Sequence, residues 1–94
     1  MKRDDAFIVK TTGEIVPVVP KNGTDFKLEE VQRIVHDYVE VVYDNGEDCM
    51  IASENAIAKG FWPNPTASDI ATENVNYGIL ILGDVLVCKS CMFK

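Results

Sequence analysis

The sequence predicts a single α+β domain over residues 1–94, with a mainly antiparallel sheet and two helices in the order β-β-α-β-β-α-β. The length of 94 residues, with 47% hydrophobic and 26% charged residues, is typical of one globular domain. Short apolar segments rich in β-branched residues, separated by turn signals, indicate strands. Two further segments carry apolar residues at helical spacing. Together these features favour one thin core shared by a sheet and its helices.

The first two strands are predicted as a hairpin. Residues 6–10 are predicted as the first strand because residues 6–9 are apolar, and Thr12-Gly13 marks a turn after them. The second segment, residues 14–19, is also β-branched but is interrupted by Pro17. A proline inside such a segment predicts an edge strand or a bulge, because it cannot donate to a sheet ladder.

The first helix is predicted to begin near Lys27. Phe26 and Val31 then stand at the two positions of a hydrophobic staple, and acidic residues occupy the first turn. Lysine cannot accept a hydrogen bond from the free amides, so an earlier start at Thr24 or Asp25 remains an alternative. The residues expected to face the core are Leu28, Val31, Ile34 and Val35.

A second hairpin and a second helix follow. Asn45-Gly46 lies between two strand-like segments, 38–43 and 48–52, and is a strong hairpin signal. Asn64 is predicted to cap the second helix, with Pro65 in its first position. Residues 79–82 and 84–88 are predicted as terminal strand material broken by a glycine.

Several of these segments resemble one family. They are residues 26–32, 38–43 and 83–88, together with Asn64, Ala67 and Ser68. Over roughly residues 15–88 the chain resembles small bacterial and phage proteins catalogued as domain of unknown function 3846. Family members typically carry Gly-Gly where this chain has His36-Asp37, so a backbone conformation that requires glycine at this turn is either altered or tolerates left-handed side chains. They also carry Asn-Glu-Glu-Gly-Lys where this chain has 53–57. The resemblance implies a bacterial or mobile-element setting and no particular reaction.

Charge and cysteine content limit the classes of function. Nine basic against 15 acidic residues give a net charge of -6 and a pI near 4.6, which argues against nucleic acid as a partner. The N-terminal residues lack the apolar stretch of an export signal, and no segment has the length of a membrane span. With three cysteines, an odd number, the sequence predicts a cytoplasmic protein with reduced thiols.

Cysteine and histidine chemistry forms the alternative hypothesis. Cys88 and Cys91 make a CxxC motif that Cys49 and His36 would complete as a Cys₃His zinc site or a thiol-dependent enzyme. The second close ligand pair of such sites is missing, and His36 has no companion motif that selects a nucleophile. The sequence therefore predicts no metal, no cofactor and no catalytic residue.

The predicted binding residues lie in two places. Phe61 and Trp62 occupy an expected loop, and tryptophan is frequent at protein interfaces. Asp44, Glu47 and Asp48 concentrate acidic charge at the tip of the second hairpin. We interpret the chain as a non-enzymatic protein-binding module with an unidentified protein partner, and homodimerisation through an exposed sheet edge is a further alternative.

Overall fold

The computed structural model describes residues 5–93, in which five strands form one sheet and two α-helices pack on it. This confirms the predicted α+β class. Residues 1–4, on which part of the export-signal prediction rests, lie outside the described residues. The strands are β1 (Ala6–Val9), β2 (Ile15–Pro17), β3 (Val39–Asp44), β4 (Asp48–Ser53) and β5 (Val85–Lys89), and the helices are α1 (Leu28–Val35) and α2 (Pro65–Val75). A 3₁₀ turn at Ser90–Met92 follows β5.

The strand order across the sheet is β2-β1-β5-β4-β3, and every pairing is antiparallel. Both predicted hairpins, β1–β2 and β3–β4, are confirmed, and the strand that contains Pro17 lies at one edge. The last strand, β5, joins the two hairpins from the centre. It is therefore the element that turns two local hairpins into one sheet.

Helices cover opposite faces of the sheet. Met50 and Val87 point into a core shared with α2, whereas Ile51 and Leu86 point into a core shared with α1. Successive residues of β4 and β5 are thus buried on both faces, as expected for central strands that read as continuous apolar segments. The molecule has three layers: helix, sheet and helix.

The start of α1 agrees with the sequence in most respects. Lys27 is the N-cap residue, and its N–H donates to the Glu30 carboxylate at 3.2 Å. Phe26 and Val31 are buried in the same core, which confirms the staple. The expected burial of Leu28 is wrong, since this side chain is 52% exposed. Phe26 precedes the helix and already fills the core at this end.

The segment after α2 differs from the prediction. Asn64 caps α2 and Pro65 is its first residue, as expected, but residues 79–82 form no strand. Ile81 is instead bound to the helix start, because its N–H donates to the Ser68 hydroxyl at 2.8 Å and its carbonyl accepts from the Asn64 N–H at 2.8 Å. No helix within residues 5–93 has the length and apolar character needed to cross a membrane.

Candidate functional site

Phe61 and Trp62 line a small pocket at the end of the sheet where β5 begins. The Phe61 ring lies against Gly83, and the Trp62 carbonyl accepts from the Gly83 N–H at 2.8 Å. The indole itself is 78% exposed, so it does not cover the core. This Trp62 pocket has a volume of about 170 Å³ and is also lined by Thr11, His36, Gly60 and Asp84.

His36 lines the Trp62 pocket beside an acidic residue, Asp84. His36 ends α1 in the left-handed region, with φ 64°, so this turn does tolerate a left-handed side chain. Its Nε2 lies 3.5 Å from the Asp84 carboxylate, whose other oxygen accepts from the Thr11 N–H at 3.0 Å. The pocket thus holds a His–Asp pair beside an exposed indole.

The acidic hairpin tip is engaged within the fold. The Asp44 carboxylate accepts from the Ser90 hydroxyl at 2.6 Å and from the Gly46 N–H at 3.0 Å, and these bonds hold its pKa below the usual range. Asp48 pairs with Lys89 at 3.4 Å. Two of the three predicted carboxylates of the tip, Asp44 and Asp48, therefore help to hold the hairpin against the end of β5.

The two predicted binding regions lie towards opposite ends of β5. Asp84, in the Trp62 pocket, precedes β5, and Lys89, beside the hairpin tip, ends it. The length of β5 therefore separates them by about 16 Å of extended chain.

The residues of the proposed zinc or thiol site are also dispersed. Cys49 and Cys88 lie side by side near the hairpin tip, with their sulfurs 3.7 Å apart, and Cys91 is exposed beyond them. His36 lies at the other end of β5, against Asp84. Among residues 5–93, no three His, Cys, Asp or Glu side chains are grouped as metal ligands.

A larger apolar groove lies on the α2 face of the sheet. It has a volume of about 770 Å³ and runs between β3, the turn at residues 54–58 and the segment 77–82. Three large apolar side chains that line it are between 64% and 86% exposed: Ile57, Tyr77 and Leu80. Sequence reasoning missed Leu80 because it assigned residues 79–82 to a strand, and it gave no binding role to Ile57 or Tyr77.

The rim of the apolar groove is acidic. Glu40 on β3 and Glu54 after β4 are both exposed and line it, whereas no lysine or arginine within residues 5–93 does. Along one side the groove is bounded by β3, which pairs with β4 and, over the described residues, with no other strand. The groove therefore combines apolar side chains, negative charge and a sheet edge.

A buried carboxylate holds the turn that forms one wall of the groove. The Asp37 side chain, only 2% exposed, accepts from the Ser53 hydroxyl at 2.6 Å and from the Asn55 N–H at 2.9 Å. Its second oxygen lies 3.0 Å from the Lys59 ammonium. The Ser53 bond is the main reason why the pKa of Asp37 lies well below its usual range. Asp37 thus ties both ends of the turn to the end of α1.

We expect this carboxylate to make stability fall with acid. Above the ordinary aspartate pKa of about 3.9, Asp37 is ionised in both the folded and the unfolded chain, and its contribution is complete. As the pH falls below that value, the unfolded chain takes up the proton first, so the free energy of unfolding decreases. Asp37→Asn should therefore be less stable at neutral pH, and its stability should fall less steeply below about pH 4.

Urea unfolding between neutral pH and about pH 2 would measure this difference. Asp69→Asn, an exposed carboxylate on α2, is the matched control and should keep the slope of the unaltered protein. An Asp37→Asn variant with the same acid dependence as the unaltered chain would contradict the assignment.

Comparison with protein-family models, curated proteins and solved structures finds no significant match to this chain. The resemblance to domain of unknown function 3846 therefore stays a prediction from the sequence. The predicted binding role of Phe61, Trp62 and the hairpin tip stays a prediction in the same way.

Proposed function

We propose that this protein is a non-enzymatic binding module, and that its apolar groove takes an extended segment of a partner protein that carries apolar and basic side chains. The observation that carries the proposal is the convergence of three exposed large apolar side chains, Ile57, Tyr77 and Leu80, on one groove with an acidic rim. Isolated exposed apolar residues are common on protein surfaces, but a contiguous group around a concavity is characteristic of a binding site.

An extended occupant suits the walls of the groove. The edge strand β3 presents backbone N–H and C=O groups that a further strand can pair with. The segment 79–82 forms the wall of the groove opposite β3. In this segment Leu80 is exposed, and Ile81 is hydrogen-bonded to the first turn of α2. The register shift between Val41 and Tyr43 interrupts the edge of β3, so we expect pairing over only a few residues.

Charge favours a basic partner over a second copy of this chain. In a homodimer, Glu40 and Glu54 on the rim would face carboxylates of the second copy, whose net charge is also -6. The two copies would therefore repel each other at this surface. Lysine or arginine side chains next to the apolar positions of a partner would instead complement Glu40 and Glu54 and speed association at low salt.

Selection of a random peptide library displayed on phage would test the proposal. We expect the selected peptides to share apolar residues at alternate positions, with at least one lysine or arginine. A synthetic peptide from the selection should lose at least tenfold in affinity for Leu80→Asp, which places a charge in the groove. Glu40→Gln together with Glu54→Gln should weaken binding and reduce its salt dependence, as measured by fluorescence anisotropy.

Trp62→Ala is the matched control, since Trp62 is equally exposed but lies outside the groove. Binding that survives Leu80→Asp but is lost in Trp62→Ala would overturn the groove and support the Trp62 pocket instead. Peptides without a shared apolar and basic pattern would also contradict the proposal. Dimers that dissociate in Leu80→Asp, measured by light scattering, would show that the groove takes a second copy.

The proposal also places the protein in the cytoplasm. Cys49 and Cys88 are buried as free thiols within a core, a state that a reducing compartment maintains. Alkylation of thiols in freshly lysed cells, followed by fractionation, should find both cysteines reduced in the cytoplasmic fraction. Recovery of the protein from an exported fraction would contradict this placement.

A further inference from the structure

Cys49 and Cys88 face each other across the central strands. They are register partners in the β4–β5 ladder, and their sulfurs are 3.7 Å apart in the core beneath α1. In the same ladder, the Ser90 N–H donates to the carbonyl of Glu47, so Glu47 and Ser90 form a hydrogen-bonded pair. Hydrogen-bonded pairs recur at every second position of an antiparallel ladder, and Cys49–Cys88 lies two positions away. Cys49 and Cys88 are therefore also a hydrogen-bonded pair, with an expected Cα spacing of about 5.5 Å. That spacing lies within the range that a disulfide spans.

The pKa values of the two thiols are shifted in opposite directions. A hydrogen bond from Cys88 lowers the pKa of Cys49, and the same bond together with burial raises the pKa of Cys88. Either sulfur can donate across this contact, and the lowered pKa of Cys49 favours Cys49 as the thiolate. A thiolate next to a second thiol is the arrangement from which disulfides form.

We propose that Cys49 and Cys88 are a modification site, at which hydrogen peroxide converts the two thiols into a reversible cross-strand disulfide. The Cys49 sulfur attacks one peroxide oxygen, an S–O bond forms, the O–O bond breaks, and the leaving oxygen departs as water with the thiol proton. The Cys88 sulfur then attacks the Cys49 sulfur, the S–S bond forms, and the S–O bond breaks. The second oxygen leaves as water with the Cys88 proton. Two thiols are thus oxidised by two electrons, and one peroxide is reduced to two waters.

Reversibility follows from the position of the pair. At a hydrogen-bonded pair the Cβ atoms lie about 5 Å apart, whereas an unstrained disulfide has them about 3.5–4.5 Å apart. The bond would therefore be strained, and strained disulfides are the ones that cellular thiols reduce readily. While it exists, the bond links β4 to β5 and restricts the unfolded chain.

Mass spectrometry of the Cys91→Ser protein would test the site. This change removes the exposed thiol and leaves the buried pair. This variant is treated with hydrogen peroxide and then unfolded in an alkylating reagent. We expect its mass to fall by that of two hydrogen atoms, and neither Cys49 nor Cys88 to be alkylated. Treatment with dithiothreitol should restore two alkylatable thiols. The oxidised form should also resist urea, with an unfolded-to-folded ratio lower by at most roughly 1000-fold, because strain in the folded state subtracts from the stabilisation.

Cys49→Ser in the same Cys91→Ser background is the control, and its remaining thiol should stay alkylatable under the same treatment. Tryptic digestion of the oxidised unaltered chain provides a second measurement, because Lys89 separates Cys88 from Cys91. A linked peptide pair containing Cys49 and Cys88 is expected. The proposal would be overturned if Cys91→Ser keeps two alkylatable thiols at a peroxide dose that oxidises Cys91 in the unaltered chain. It would also be overturned by added oxygen atoms at Cys49 without a disulfide, or by linkage through Cys91 alone.

Discussion

Asn64→Ala is expected to lower the free energy of unfolding by about 3–5 kcal/mol. Asn64 is completely buried, and its side-chain amide donates to the carbonyls of Val9 at 2.9 Å and Gly83 at 2.8 Å. Its carbonyl oxygen accepts from the Ala67 N–H at 3.1 Å and so caps α2. Alanine removes the cap and the two amide hydrogen bonds to buried carbonyls, each at a cost of about 1–3 kcal/mol. Urea unfolding would measure the loss.

Asn64→Asp separates the two roles of this side chain. Aspartate keeps an acceptor for the Ala67 N–H, yet its carboxylate faces the two carbonyls that the amide nitrogen binds. We expect it to be at least as destabilising as alanine at neutral pH and to recover part of the loss when acid protonates the carboxyl. An Asn64→Asp protein as stable as the unaltered chain would mean that the donor half of the site contributes little.

Gly83→Ala is expected to cost about 2–4 kcal/mol. Gly83 has φ +84°, a left-handed conformation that side chains adopt at a cost. A Cβ atom at this position would also lie 2.9 Å from the Phe61 ring, so the ring must move. The neighbouring Trp62 should report that movement as a change in its fluorescence in the folded state.

Gly46→Ala isolates the backbone part of this effect. Gly46 has φ +91° at the hairpin turn, and a Cβ atom there meets nothing within 4 Å. We expect this variant to lose only about 1–2 kcal/mol and to keep the Trp62 emission of the unaltered protein. Equal losses for Gly46→Ala and Gly83→Ala would show that the contact between Phe61 and Gly83 carries no strain.

Local features were predictable because their signals lie within a few residues of one another. Asn45-Gly46 between two β-branched segments predicted the second hairpin, and Asn64-Pro65 predicted the start of α2. Pro17 predicted an edge strand because a proline has no N–H to donate. In each case the backbone conformation follows from the side chain at that position.

The candidate sites were less predictable because distant segments form them. The apolar groove brings β3 next to the segment 77–82, and Asp37 binds Ser53 and Lys59 on the far side of a hairpin. Residue spacing contains no signal for either contact. The same holds for the separation of Trp62 from the hairpin tip, which depends on the direction in which β5 crosses the sheet.

The sequence by itself determined the class of the fold, its two hairpins and the N-cap of its second helix. The tertiary structure alone decided that β5 lies between the hairpins, that Cys49 meets Cys88 there, and that Leu80 stays exposed above the sheet. The physical reason is the range of the interactions. Turns and caps are stabilised by hydrogen bonds within a few residues, whereas strand order and the packing of layers depend on burying apolar surface contributed by the whole chain.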